Sequence, residues 1–364
     1  MLIDLIAGAR PNFMKIAPII DAIKKYKKLG ININYRLIHT GQHYDKNMSE
    51  SFFKQLNIPD PDLNLNAGGG TQSEQTAAIM IGYEKALVKK PDLCLVVGDV
   101  NSTMACSIVA RKNGIKVAHV EGGIRSGDMN MPEEVNRIVT DSITNYFFTT
   151  SEIANKNLLK SGVNNENIFY VGNTMIDTLL KNRDRFIKPS IWDLNKLKKR
   201  EYIVMTLHRP SNVDEEFQLK KIIFEIINST YNLKIVFPVH PRTKKNLIDL
   251  KIVDERLIYT DPMSYLEFNY LVENSCLVIT DSGGITEETT VMGIPCITLR
   301  DSTERPETVK IGTNELLGTD PKKIKPAIEK LKKGEWKKGT IPHLWDGNTA
   351  DRIVEIIVSE YNLS

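Results

Sequence analysis

Short apolar runs of strand length alternate along the chain with longer stretches whose apolar positions recur at helical spacing. In the first half the runs are Leu2–Ala7, Tyr35–His39, Leu93–Val97, Lys116–Val120 and Tyr146–Thr149. Between them lie amphipathic stretches such as Ile16–Lys28, Ser73–Lys89 and Ser102–Lys112. Repeated strand–helix alternation predicts a parallel, doubly wound sheet. The pattern then restarts with Tyr202–Thr206, Lys234–Pro238, Leu257–Tyr259, Leu277–Thr280 and Cys296–Leu299. Helical patterns over Glu216–Ser229, Ser264–Asn274 and Ile285–Met292 separate them. The predicted class is α/β, with two Rossmann-like doubly wound domains. Sheets of this kind bind ligands beyond the carboxyl ends of their strands, so the two domains are expected to face each other across a ligand cleft.

The expected division is a first domain over 1–175 and a second over 176–349. The linker falls between Asn173 and Lys199, where the charged, Pro189-containing segment Arg183–Lys199 parts the two strand sets. A final helix, within 350–364, is expected to pack back on the first domain.

A chain of 364 residues suits two cores better than one. With 41% hydrophobic and 26% charged residues it is globular. The formal net charge of +3, interspersed along the chain, argues against a nucleic-acid partner but permits a local site for a small anion. No apolar run has the length of a membrane span, so no membrane partner is expected. The start, Met1–Ala7, lacks a basic leader and carries Asp4, so it reads as a first buried strand and not as a signal sequence. Cytoplasmic residence follows as the expectation. Cys94, Cys106, Cys276 and Cys296 lie far apart without metal-ligand spacing and read as reduced core residues.

The first strand runs into Gly8-Ala9-Arg10-Pro11-Asn12-Phe13-Met14-Lys15. Gly8 permits a tight turn, and Pro11 suits the first turn of a helix. Arg10 and Lys15 then lie near a strand end and a helix N-terminus, where a phosphate gains from both. Two surface cations beside a turn is the alternative. The motif is not G-x-G-x-x-G, which disfavours nicotinamide. A stronger anion signal is Ile279–Glu288, where a strand stops, Gly283 and Gly284 follow and a helix begins. The glycines let backbone N–H groups approach a diphosphate, and Ser282 adds a hydroxyl. Glu287 or Glu288 could bind ribose hydroxyls. An ordinary turn with acids favouring the helix dipole is the alternative, but two adjacent glycines exceed what such a turn requires.

Carboxylates cluster elsewhere. Asp99 ends one strand, Glu121 ends the next before Gly122-Gly123, and Glu133 and Glu134 open a helix. Successive parallel strands place Asp99 and Glu121 on one sheet edge. Convergent carboxylates raise one another's pKa, which brings proton transfer near neutrality. Asp99 could instead cap a helix and Glu133 favour a dipole. Glu121, an acid closing a buried strand, has no such structural purpose. His208, His240 and Arg305 follow strands of the second half and could bind phosphate or protonate a leaving diphosphate. No metal site is apparent, and no cofactor is called for.

Taken in order, these motifs resemble the non-hydrolysing UDP-N-acetylglucosamine 2-epimerases, which share the fold of two-domain nucleotide-sugar glycosyltransferases. The similar stretches are Gly8-Ala9-Arg10-Pro11, Val97-Gly98-Asp99, His119–Gly123, Pro132–Arg137, Val171–Asp177, His208-Arg209, Pro238-Val239-His240, Thr280–Glu288, Arg300–Arg305 and Asp346–Ala350. The resemblance runs end to end. It implies that Arg10, His208, Ser282, Gly283, Gly284, Glu288 and Arg305 hold UDP, that the uracil lies near Phe268, and that the sugar lies toward Asp99, Glu121 and Glu133. It also implies loss of the C2 proton as UDP leaves C1, a 2-acetamidoglucal intermediate, a homodimer, and a role in surface-polysaccharide precursor synthesis. Glu121 and Asp99 are expected to be the proton-transfer pair.

Bacterial members of this family often carry an activating second UDP-sugar site. Gln42, Arg209 and Asn212 match its pattern. The loop Ala67–Thr71 supplies no Arg, and Pro210-Ser211 replaces Arg-Glu. The form Thr40-Gly41-Gln42-His43-Tyr44-Asp45 also resembles relatives that epimerise 2,3-diacetamido uronates. A hydrolysing epimerase, a glycosyltransferase of the same fold and a non-catalytic nucleotide-sugar sensor are the competing readings. The full set of acids on the sugar side favours epimerisation.

Overall fold

The apolar runs become strands buried on both faces, as a parallel sheet covered by helices requires. In the computed structural model, which describes residues 1–41, 53 and 55–364, the chain forms two units. These are Met1–Lys181 with His343–Ser364, and Asn182–Pro342.

The first unit carries a seven-stranded parallel sheet in the order β3-β2-β1-β4-β5-β6-β7. Its strands are β1 (Leu2–Ala7), β2 (Asn34–His39), β3 (Leu63–Asn64), β4 (Leu93–Val97), β5 (Lys116–Val120), β6 (Tyr146–Thr149) and β7 (Ile168–Tyr170). The winding reverses between β1 and β4, and a ligand crevice belongs at such a switch point. Asp4 is the exception in the first apolar run. It is fully buried, takes both Arg36 guanidinium contacts at 2.8 Å and accepts from the Tyr83 hydroxyl at 3.0 Å. Gly8 is required where β1 ends, because a Cβ there would fall 1.9 Å from Ser102 Oγ.

The second unit repeats the plan in a six-stranded parallel sheet, order β10-β9-β8-β11-β12-β13. The strands are β8 (Tyr202–Thr206), β9 (Lys234–Pro238), β10 (Leu257–Thr260), β11 (Leu277–Thr280), β12 (Cys296–Thr298) and β13 (Asn314–Leu316). Its switch point lies between β8 and β11. A core of Ile203, Leu219, Ile223, Phe237, Ile279 and Ile297 packs the sheet on its helices. Each such side chain contributes roughly 1.5–3 kcal/mol on burial.

Several expectations are corrected. The strands β3 and β13, two and three residues long, carry no apolar run to announce them, and β7 is marked only by the short run Ile168–Val171. The first helix begins at Arg10 and not at Ile16, since Pro11 sits in its first turn. The helix expected from Ile285 begins at Gly283. The unit boundary follows Lys181 instead of residue 175, and the chain re-enters the first unit at His343 instead of residue 350. The reason is a set of contacts within the first unit. Asp177, in the helix Thr174–Asn182, accepts the Thr349 and Ala350 N–H groups at 3.2 and 2.7 Å. Trp345 is buried and donates to the Thr150 carbonyl at 3.0 Å. The helix Thr349–Glu360 then seats Ile353, Val354 and Ile357 against the helix Arg10–Lys28. Among the described residues no helix is long and apolar enough to cross a membrane.

Candidate functional site

Candidate functional residues gather at the switch point of each unit. In the first, the loop after β1 is pinned by Asn12. Its carbonyl oxygen accepts the Gly8 and Ala9 N–H groups at 3.2 and 2.9 Å, and its amide donates to the Val97 carbonyl at the end of β4, 2.9 Å away. One turn further along the same helix, Lys15 reaches Glu121 Oε2 at 2.8 Å. Both side chains are buried, with 11% and 3% exposed. Lys15, expected to await a phosphate, is here an ion-pair partner of Glu121. A Cβ on Gly98 would lie 3.5 Å from Lys15 Nζ and 4.0 Å from Glu121 Oε2, so the backbone after β4 passes close to this pair.

Glu121 has a left-handed backbone, φ +71°. Its N–H still donates to the Phe148 carbonyl at 2.9 Å, so the sheet holds one residue past β5 and the chain then turns sharply. Non-glycine residues in this region cost about 1–2 kcal/mol, and such strain concentrates at functional sites. The glycines that follow have a packing reason. A Cβ on Gly123 would meet the Ala154 carbonyl oxygen at 2.5 Å.

Asp99 does not cap the helix Asn101–Lys112, whose N-cap residue is Val100. Its carboxylate pairs with Arg137 Nη2 at 2.5 Å and remains 29% exposed. Arg137 also binds Glu134 at 2.7 Å. Glu134 accepts the Ser126 and Gly127 N–H groups at 3.0 Å each. Burial raises the Glu134 carboxyl, but these N–H groups and Arg137 outweigh it and hold the pKa below its ordinary value. Glu134 therefore organises the loop before its helix, while Glu133 on the first turn is half-buried and has no ion pair among the described residues. Beneath Asp99 and Glu121 lies His119, fully buried, with Nδ1 2.7 Å from Asp141 Oδ1 and Nε2 2.8 Å from the Gly98 carbonyl.

In the second unit Asp281 is the organising group. It is fully buried after β11 and receives the His208 and Arg209 N–H groups, the Asn212 amide and His208 Nδ1, the last at 2.8 Å. Burial would raise its pKa, but His208 and these N–H donors hold it below the ordinary carboxylate value. The contact fixes the His208 ring, whose side chain is 35% exposed. The His240 ring centre lies 5.6 Å from that of His208. Burial first, and the neighbouring His208 second, lower the His240 pKa. Ser282 occupies the N-cap position of the helix Gly283–Met292, and the N–H groups of Gly283 and Gly284 stand in its first turn, where no carbonyl of the helix can accept them.

Further candidate groups of this unit have partners within it. Arg305 pairs with Glu287, and Arg300 with Glu304 at 2.8 Å. Burial raises Glu304, but Arg300 and Arg305 hold it at about 2. Glu288 is buried, receives the Tyr265 hydroxyl at 2.8 Å, and is pushed up to about 7 by burial. Phe268 sits half-buried on the helix Tyr265–Asn274. Gln42 and the Arg10 side chain lie outside the described residues. Sequence reading assigned no role to Asn12, His119, Arg137, Asp141 or Asp281. The one available signal was a buried-strand histidine, two residues before Glu121. Among the described residues no three His, Cys, Asp or Glu side chains gather as metal ligands.

The sequence model of the UDP-N-acetylglucosamine 2-epimerase family matches residues 25–358. The chain is 44% identical to the UDP-N-acetylglucosamine 2-epimerase of Methanocaldococcus jannaschii, over 98% of this chain and 99% of that one. It is 39% identical to the UDP-2,3-diacetamido-2,3-dideoxy-D-glucuronate 2-epimerase of Pseudomonas aeruginosa, over 87% and 88%. The crystal structure of the M. jannaschii enzyme in complex with UDP-GlcNAc and UDP superposes with a TM-score of 0.87 at 43% identity, covering 99% of this chain and 100% of that one.

Proposed function

The chain belongs to the UDP-N-acetylglucosamine 2-epimerase family, and from that premise we propose that it interconverts UDP-N-acetylglucosamine and UDP-N-acetylmannosamine. The observation that carries the reading is Glu121. It is a buried carboxylate on a left-handed turn, held against Lys15, on the strand next to the one that ends at Asp99. A purely structural acid has no need of that backbone.

The C2 proton of the sugar is not next to a carbonyl, so no enolate spreads the developing charge. One carboxylate takes the proton, the C–H electron pair becomes the C1=C2 double bond of 2-acetamidoglucal, and the C1–O pair leaves with UDP. In the return, a proton is delivered to the opposite face of C2 and a diphosphate oxygen re-forms the bond to C1. Two faces call for two proton-transfer groups, and Glu121 and Asp99 fill these roles. Glu133 holds the sugar or shares the transfer, and Lys15 keeps the Glu121 charge compensated. The barrier falls mainly through stabilisation of the departing diphosphate. His208 and His240, the Gly283 and Gly284 N–H groups, Ser282, Arg10 and Arg305 supply it, with Phe268 near the uracil and Glu288 toward the ribose. The four free cysteines, three of them buried, support a reducing, cytoplasmic setting.

The test is proton NMR of the purified protein with UDP-N-acetylglucosamine in deuterated water. The expected product is UDP-N-acetylmannosamine with deuterium at C2, because the protonating carboxylate exchanges with solvent. Free N-acetylmannosamine with UDP indicates a hydrolysing enzyme. No reaction with this substrate, but turnover of a UDP-2,3-diacetamido uronate, moves the reading to the sugar named for the P. aeruginosa relative.

A further inference from the structure

A histidine in the middle of an apolar strand is costly to bury unless both ring nitrogens are satisfied. His119, in β5, meets that condition with two acceptors, Asp141 Oδ1 at 2.7 Å and the Gly98 carbonyl at 2.8 Å. Nε2 therefore donates to the carbonyl, and a further proton lies between Nδ1 and Asp141. The other Asp141 oxygen receives the Gly123 N–H at 3.0 Å and Arg125 Nη1 at 2.6 Å.

The backbone groups at the two ends of this network are informative. Gly98 immediately precedes Asp99, and Gly123 follows Glu121 by two residues. The β4–β5 ladder ends with the pair Val97 and Val120 and the Gly98 N–H to the Val120 carbonyl. Beyond it both strands leave the sheet, Gly98 and Glu121 each at φ +71°. At the point where pairing stops, the imidazole takes the carbonyl the ladder no longer serves.

We propose that His119 and Asp141 form a positioning unit that clamps the two loops bearing Asp99 and Glu121, so that the two carboxylates keep the separation needed to address opposite faces of one carbon. The proposal rests on the proton-transfer reading above. Neither side chain touches substrate; both act through the backbone of the residues that do.

Two substitutions separate this role from ordinary core packing. In His119→Asn the shorter amide can occupy the Nδ1 position and keep Asp141, but it cannot reach Gly98. In His119→Gln the longer amide can occupy the Nε2 position and keep Gly98, losing Asp141. Each variant gives up one buried hydrogen bond, so their melting temperatures should be similar. Misplacement by about 1 Å costs on the order of 10² in rate. Each variant cuts the link between the two loops, so each should lose about that factor in kcat with KM within about threefold. A kcat within about threefold of wild type in either variant, or a loss confined to KM, overturns the clamp. If the wild-type protein leaves UDP-N-acetylglucosamine unchanged, the functional reading has failed instead, and histidine-labelled nitrogen NMR on the same protein decides the clamp. The His119 Nε2–H, held by the Gly98 carbonyl at 2.8 Å, should be protected from solvent exchange in the wild type and exchange faster in Asp141→Asn. An Nε2–H that exchanges freely in the wild type overturns it.

Discussion

Asp281→Asn tests the His208 assignment with almost no change of shape. In the native protein Oδ1 faces His208 Nδ1 at 2.8 Å, while Oδ2 receives the Arg209 N–H at 2.8 Å and the Asn212 amide at 3.1 Å. An amide fits only one way. Its oxygen must stay with Arg209 and Asn212, so its NH2 group turns to His208. Nδ1 then has to accept, so the ring meets the departing diphosphate as a neutral Nε2–H donor without the carboxylate behind it. Weakening one donor to a developing charge costs about 10²–10³ in rate, or roughly 3–4 kcal/mol of barrier. Stability falls as well. Bonds to an ionised acceptor are worth about 1.5–3 kcal/mol and neutral ones about 0.5–1.5. The His208 N–H also donates to Oδ2, at 3.0 Å, so each of three retained donors loses about 1 kcal/mol, roughly 3 kcal/mol together. At about 2–4 °C per kcal/mol for a unit of this size, the melting point should drop by about 6–12 °C. Epimerisation followed by NMR well below that temperature separates the two effects. A kcat within threefold of wild type, with the melting point lowered, would make Asp281 and His208 a structural pair and remove His208 from the proposed chemistry.

Glu121→Gln should lower kcat by about 10²–10⁴ and leave UDP affinity, read by titration calorimetry, within threefold; a matching loss of UDP binding would place Glu121 in recognition instead. Glu304 and Glu288 bend stability in opposite directions with pH. Glu304 is held at about 2 against an ordinary 4.5, so its contribution is complete above pH 4.5 and is lost as pH falls toward 2. Glu288, raised to about 7, contributes fully below pH 4.5 and loses that contribution as pH rises through 7. Glu288→Gln should flatten the melting-temperature profile between pH 4.5 and about 7 and spare it below 4.5; an unchanged slope between 4.5 and about 7 refutes the assignment. Activity should survive excess EDTA, because the groups proposed to serve the diphosphate are guanidinium, imidazole and helix N–H, and a loss restored by added magnesium would contradict this.

The strands and their ends are legible in the sequence because a covered parallel sheet writes each strand as an apolar run. Glu121 stands out for the same reason, as an acid closing such a run. The polar network beneath it does not. Asn12 meets Val97, Arg137 meets Asp99 and Asp281 meets Asn212 across 85, 38 and 69 residues of chain. No local pattern encodes those pairings, since they exist only once the sheet has brought the strand ends together. The edge strand Leu63–Asn64 is missed for the opposite reason: both residues are exposed, so no burial pattern marks them. Glu133 and Glu134, adjacent and alike in sequence, part company in the structure. One residue of helical rotation turns Glu134 inward to the Ser126 and Gly127 N–H groups.

The first unit is discontinuous, interrupted by Asn182–Pro342 and finished by His343–Ser364. On the ribosome this sets an order of events. At about 5–20 residues per second, the roughly 160 residues of the interrupting unit take about 8–32 s to emerge. Throughout that interval the first sheet waits with the seats of Trp345, Ile353, Val354 and Ile357 vacant, and by its end the second unit has every strand of its own. The later-made unit can therefore be the first to finish folding. A protease that cut at both junctions would release it as one piece and leave its neighbour in two.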